Sequence, residues 1–191
     1  MALKVVKYTD LIPRMMRDIT NYSLATTVFA LQDAGREFCN RSEAWFVDLD
    51  PIDVVANQQE YTLDPTLIAQ IKKVDSVNLL SSDDVASGYL GTRVHASRYR
   101  LILPNTLRFD DNYIPTTPVT SGMVVRVTLA PTMGTNELPE WLMARWAEGI
   151  IGHAMYTLLR KTDPNTAVVY LNQFNAKLGE AMAESLEDIH P

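Results

Sequence analysis

Leu24, Val28, Leu31, Gly35 and Phe38 recur at spacings of three and four, which places them on one face of a helix. Ser23 stands where that helix needs an N-cap, since a serine hydroxyl accepts from an amide of the first turn. Asp33, Arg36, Glu37 and Arg41 fall away from the apolar seam. Upstream, Thr9 to Asp18 predicts a short helix, with Pro13 admissible only in its first turn because proline has no N–H to donate further in.

From Trp45 to Leu129 the period shortens to two. Turn formers (Asp50-Pro51, Asn57, Asp64-Pro65, Ser81-Ser82-Asp83-Asp84, Gly88, Gly91 and Pro104-Asn105) cut this stretch into short pieces. Met123, Val125, Val127 and Leu129 alternate with Val124, Arg126 and Thr128, the pattern of a half-buried strand. Tyr99, Leu101 and Leu103 alternate in the same way, and Phe46–Val55 and Val74–Leu80 are further expected strands. Ile114 to Gly122, with Pro115, Thr116, Thr117 and Pro118, reads as an exposed loop and a candidate contact arm.

The last third returns to helical spacing. Pro139 fits a first-turn proline, and the pattern runs on to Lys161. One row holds Leu142, Trp146, Gly149, His153 and Tyr156; another holds Met143, Ala147, Ile150, Ile151, Ala154 and Leu158. A helix apolar on two sides has to be covered on two sides. It is therefore expected at the centre of a bundle, or between a core and a neighbouring subunit. The small residues Ala147, Gly149, Gly152 and Ala154 admit a close helix, so Trp146, Gly149, Gly152, His153 and Tyr156 are expected to pack between subunits. Asp163-Pro164 opens a final helix with Leu171, Phe174, Leu178, Ala181 and Ser185 inward, and no helical continuation is expected from Glu187 onward.

These elements predict an α+β chain forming one domain over residues 1–191. It is expected to be mainly an α-helical bundle of about three main helices, spanning about 9–44 and 136–188. A β-strand-rich insertion over about 45–132 is expected between the first and second main helices.

Composition narrows the classes. With 191 residues, 47% apolar and 21% charged, the chain has the make-up of a globular domain. It has no apolar run of the roughly 18 residues that a membrane span requires. The N-terminus lacks the apolar core of a signal peptide, so a cytoplasmic origin is the default expectation. Cys39 is the only cysteine, which excludes an intrachain disulfide and a cysteine-built zinc site, and a buried apolar role is expected for it. The net charge of −6 opposes general affinity for nucleic acid, although an acidic channel wall still suits DNA that must slide past.

Candidate chemistry is sparse. His95, His153 and His190 lie far apart without ligand partners at helical spacing, and His153 is expected to be a hydrogen-bonded core or interface residue. The sequence contains no nucleophile elbow, Walker loop or dinucleotide-binding glycine pattern. Asp48/Asp50, Asp83/Asp84 and Asp110/Asp111 lie beside turns, where aspartate bonds its own backbone. Arg93, Arg98, Arg100 and Arg108 form one basic concentration around His95 and Tyr99. They suit contact with DNA or an acidic partner, or a charged face that keeps strand edges from pairing. No catalytic residue, metal ligand or cofactor is assigned.

Four segments in order carry a resemblance. Leu11-Ile12-Pro13-Arg14, then Leu31-Gln32-Asp33-Ala34-Gly35-Arg36-Glu37-Phe38-Cys39 with Arg41, Ala44 and Trp45, resemble the alanine-rich first helix of phage head-to-tail adaptor proteins. Gln59-Glu60-Tyr61-Thr62-Leu63 and Leu129-Ala130-Pro131-Thr132 are similar to strands of that family. Leu138-Pro139, Trp146 and Glu148 to Ala154 resemble its following helix. Gly35 and His153 depart from the usual small residues, and Ser81 to Tyr113 matches nothing recognisable in the family.

The resemblance implies a non-enzymatic virion protein, assembled in the host bacterial cytoplasm. It implies a homo-oligomeric ring of about twelve subunits beneath the portal protein, leading on to a downstream tail or neck protein. Genomic DNA would pass through the channel without specific binding, and no membrane is involved. It also places the C-terminal end on the portal, with Leu178, Met182, Leu186, Ile189 and Pro191 as binding residues. The alternative from another class is a tail-associated receptor- or glycan-binding module using the β insertion.

Overall fold

The helix expected at Ser23 begins where its cap allows. The Ser23 hydroxyl accepts from the Thr26 amide at 3.1 Å, satisfying one of the first-turn donors a helix leaves unpaired. In the computed structural model, which describes residues 4–16, 18–19 and 22–189 (side chains to 185), helix α2 then runs Leu24–Ser42. It is preceded by strand β1 (Val5–Lys7), a 3-10 turn (Tyr8–Leu11) and the one-turn helix α1 (Ile12–Met15). The expected Thr9–Asp18 helix is thus a 3-10 turn followed by a short α-helix, with Pro13 in the first turn of α1.

The chain folds as two compact units, one of residues 1–45 and 130–191 and one of residues 46–129. In the first, helices α4 (Glu140–Leu159) and α5 (Pro164–Ile189) pack on each other and on α2. Asp163 opens α5, its carboxylate accepting from the Thr166 amide at 3.2 Å. Hydrogen bonds from the Thr166 hydroxyl and amide hold the Asp163 carboxyl below its ordinary value. The buried arc of α2 is Thr27, Ala30, Leu31, Ala34, Gly35, Phe38 and Cys39. Leu24, expected on this face, is 65% exposed, so the seam is rotated towards the alanines. Tyr22 ties the start of α2 to the end of α4, donating to the Leu158 carbonyl at 2.5 Å.

The same unit holds a two-stranded antiparallel sheet of β1 and β10 (Glu137–Pro139), with Val6 opposite Leu138. Pro139 therefore ends a strand and caps α4, where a first-turn proline was expected. The last helix continues through Ile189, where none was expected beyond Glu187.

The second unit is built on two sheets. One has the order β2 (Phe46–Asp48), β9 (Val119–Pro131), β5 (Ala69–Leu79), β6 (Thr92–Arg93), with β3 (Ile52–Val54) also on β9. The other has the order β4 (Glu60–Thr62), β8 (Thr106–Phe109), β7 (Tyr99–Ile102). The alternation expected at Met123–Leu129 is seen in β9, where Met123, Val125, Val127 and Leu129 are fully buried. Strand Phe46–Val55 is broken in two by Asp50-Pro51, and β9 begins at Val119, shortening the expected loop. Ser82–Ser87, within a stretch that reads as a turn, forms helix α3.

The expected fold class is corrected by these elements. Among the described residues there are five α-helices and ten strands in three sheets, one of them outside the expected insertion. This is a β-rich α+β fold rather than a helical bundle with one insertion. Hydrophobic periodicity reveals long segments, whereas three-residue strands such as β1 and β10 are too short to show a period.

Candidate functional site

Helix α4 carries the residues expected between subunits, and the structure shows what covers them. A Cβ on Gly152 would lie 2.9 Å from the Tyr170 carbonyl oxygen and 3.1 Å from the Phe174 nitrogen, both backbone atoms of α5. At Gly149 the nearest atoms would be the Phe38 ring at 2.9 Å and the Lys177 Cβ at 3.0 Å. Trp146 is buried, with its ring 5.7 Å from that of Phe38. The close helices are this chain's own α2 and α5. His153 and Tyr156 are half-buried.

His153 stacks on Phe174 at 4.7 Å between ring centroids, and its Nδ1 is buried without a hydrogen-bond partner, contrary to the hydrogen-bonded histidine expected. Burial is the main cause that lowers its pKa. Glu37 and Asp33 of α2 oppose the shift, while Arg41 of α2 and Arg160 reinforce it. The unfolded chain binds a proton near pH 6.5, whereas the folded chain resists it. This contribution to stability is complete above about pH 6.5 and is lost as pH falls below it towards the depressed folded value. The melting temperature of the wild type is therefore expected to fall more between about pH 7.5 and pH 5.5 than that of His153→Gln. Equal shifts in the two proteins would contradict this account.

At the C-terminal end, Leu178 is buried and belongs to the core, while Met182 is exposed. The Ser185 hydroxyl donates to the Ser42 carbonyl at 3.1 Å, so α5 is held against the end of α2 this far along. The side chains of Leu186 and Ile189, and all of Pro191, lie outside the described residues.

In the second unit, the loop with Pro115, Thr116 and Thr117 borders a cleft of about 570 Å³. Its other walls include Leu79 to Asp84, Thr92, Val119 and Gly122. Sequence spacing gave no sign that this loop and α3 share a cleft. Helix α3 is closed at its start by a reciprocal pair: Ser81 Oγ accepts from the Asp84 amide at 3.1 Å, and Asp84 accepts from the Ser81 amide at 2.8 Å. The Ser81 amide and the Ser81 hydroxyl, which also donates to this carboxylate at 2.8 Å, hold the Asp84 carboxyl below its ordinary value.

The basic concentration divides. Arg108 pairs with Glu60 at 3.5 Å and lies opposite Arg100 across β7–β8. Arg98 stacks over Tyr113 at 4.3 Å. Arg93 and His95, with Asp75, Val94, Ala96 and Tyr99, line a recess of about 390 Å³. The carboxylate of Asp75 already accepts from Thr128 at 2.7 Å and pairs with Lys73 at 3.2 Å. Among the described residues no group of three or more His, Cys, Asp or Glu is placed to hold a metal ion. No helix among them is long and apolar enough to cross a membrane.

Exposed on these units are the apolar Val85, Tyr89 and Leu90, the loop with Thr116 and Thr117, and arginines at strand edges, Arg93 and Arg100. Together the two units make a β-rich α+β protein. The family model described as SU10 adaptor protein matches residues 6–189, and the chain belongs to that family of phage head-to-tail adaptors. It is accordingly a structural component of the virion. No curated protein matches the chain.

Proposed function

We propose that the chain is one subunit of a ring of about twelve, seated beneath the portal protein and extending the DNA channel towards a downstream tail or neck protein. The reading takes all 191 residues as one adaptor module, assembled in the host bacterial cytoplasm and acting without catalysis or cofactor. The observation that carries it is the family match over residues 6–189, nearly the whole chain. The net charge of −6 agrees with a wall that DNA passes without binding. Loop Pro115–Pro118 is the proposed tail-side contact. His153 and Tyr156, only part-covered by their own chain, are the members of the α4 row left for lateral packing.

The portal anchor in this reading is the end of α5. The helix runs to Ile189 on a stem fastened by Ser185. Leu186 and Ile189 are the apolar residues of that last turn, and Met182 is exposed just before it. Burying two such side chains contributes about 3–6 kcal/mol before ordering costs. Many copies on one ring multiply that contribution.

Truncation after Ser185 keeps the buried Ala181 and Ser185 and tests the anchor directly. The truncated subunit is expected to match the full chain in circular dichroism and melting. It is expected to be lost from portal pull-downs and to give heads that package DNA and then leak it. Truncated subunits that co-purify with portal at full-length levels and yield infectious particles would overturn the anchor. Attention would then pass to the 114–122 loop.

A further inference from the structure

Residues 81–90 form a capped surface projection that buries no side chain in the core of its own unit. Helix α3 has six residues, none buried. A helix this short does not hold in water unaided, yet both ends of this one are closed. Ser81 and Asp84 cap the start. At the other end Gly88, at φ +71°, turns the chain so that the Tyr89 amide donates to the Asp84 carbonyl at 3.0 Å. The helix presents Val85 (40% exposed) beside the acidic Asp83, and the chain just past its Gly88 cap presents Tyr89 (65%) and Leu90 (71%) to solvent. A backbone already closed by its caps loses less freedom on docking than an open loop, so more of the gain from covering these apolar groups is retained.

The same unit carries a surface of opposite character. The recess of about 390 Å³ bears exposed Arg93 and His95 over the aromatic Tyr99, with Arg98 and Arg100 exposed close by in sequence. Its one carboxylate, Asp75, is already engaged by Thr128 and Lys73, which leaves the recess cationic. None of its lining residues comes from 81–90, so the projection is not seated in its own recess.

We propose that the α3 projection of one subunit docks in the Arg93–Tyr99 recess of a second copy. Tyr89 and Leu90 are covered there, and Asp83 faces the cations. Each copy carries one projection and one recess, so the contact is head-to-tail, the kind that propagates around a ring. The inference rests on the ring reading above and names the lateral contact within it.

The test uses full-length chains carrying one added cysteine each, since the native Cys39 is buried. Particles are assembled from equal amounts of Leu90→Cys and Ala96→Cys subunits, oxidised gently and run without reductant. Cross-linked dimers are expected in the mixed particles, at least about tenfold above particles made from either variant alone. Tyr89→Ser/Leu90→Ser is expected to leave the melting temperature unchanged and to raise the subunit concentration needed to fill the portal by about tenfold, equivalent to about 1.4 kcal/mol. Rings that form normally yet give no mixed dimer, or a serine variant that fills the portal at the wild-type concentration, would overturn this inference and leave the ring standing. Particles with no ring of this subunit would overturn both. A cross-link to a different virion protein would overturn the second copy as the occupant.

Discussion

Phe174→Ala is expected to lower the unfolding free energy by about 3–5 kcal/mol, the usual effect of removing a buried phenylalanine. Phe174 is fully buried, edge-on to Phe38 at 6.3 Å and against His153 at 4.7 Å, with the Arg41 guanidinium 5.4 Å from its centroid. It thus joins α2, α4 and α5 at one point. A domain is stable by about 5–15 kcal/mol in total, so the loss is a large fraction of what holds it folded. Thermal unfolding followed by circular dichroism should show a fall of about 6–20 °C. Phe174→Leu, which keeps most of the volume, should lose less than about 1.5 kcal/mol. An unchanged melting temperature for the alanine variant would mean that the three helices do not meet at this ring.

The second large effect comes from adding a single methyl group. Gly152→Ala is expected to destabilise by about 1–3 kcal/mol, because the new Cβ meets α5 backbone at 2.9 Å and 3.1 Å. Backbone cannot rotate aside as a flexible side chain does, so α4 and α5 must separate where they touch. Gly179→Ala is the matched control. It is also within a helix, has nothing within 4 Å of the added Cβ, and should stabilise by about 0.5–1 kcal/mol through lost freedom in the unfolded chain. Chemical denaturation of the two variants should therefore move in opposite directions from the wild type. A neutral Gly152→Ala would show that the α4–α5 approach is looser than these distances.

These two glycines also mark where sequence reading stops. Periodicity along α4 shows that two faces are covered, because an apolar face left in water is unfavourable. It carries no information on whether the cover comes from the same chain or from another. For Gly149 and Gly152 the cover is α2 and α5, segments whose distance from α4 in space no local pattern encodes. The same limit applies to β1 and β10, three-residue strands separated by residues 8–136 that pair only because the fold brings them together. It applies again to Ser81–Gly88, where serine and aspartate read as a turn. Those residue types serve equally well as helix caps, and closure at both ends decides for the helix.

What the sequence by itself determined was local chemistry and composition: the caps at Ser23 and Asp163, the alternation through β9, the lone cysteine and the charge of −6. The motifs that resemble head-to-tail adaptors belong with these, and the family match agrees with them. Each depends on residues within a few positions of one another, or on totals that no fold can alter. The tertiary structure alone decided which faces are used up inside the chain and which stay open. It turned Leu24 outwards, and left Val85 on a closed helix, and Tyr89 and Leu90 just past its cap, uncovered. Burial depends on packing between residues far apart in the chain, so a surface for partners becomes visible only once the chain has covered all that it can by itself.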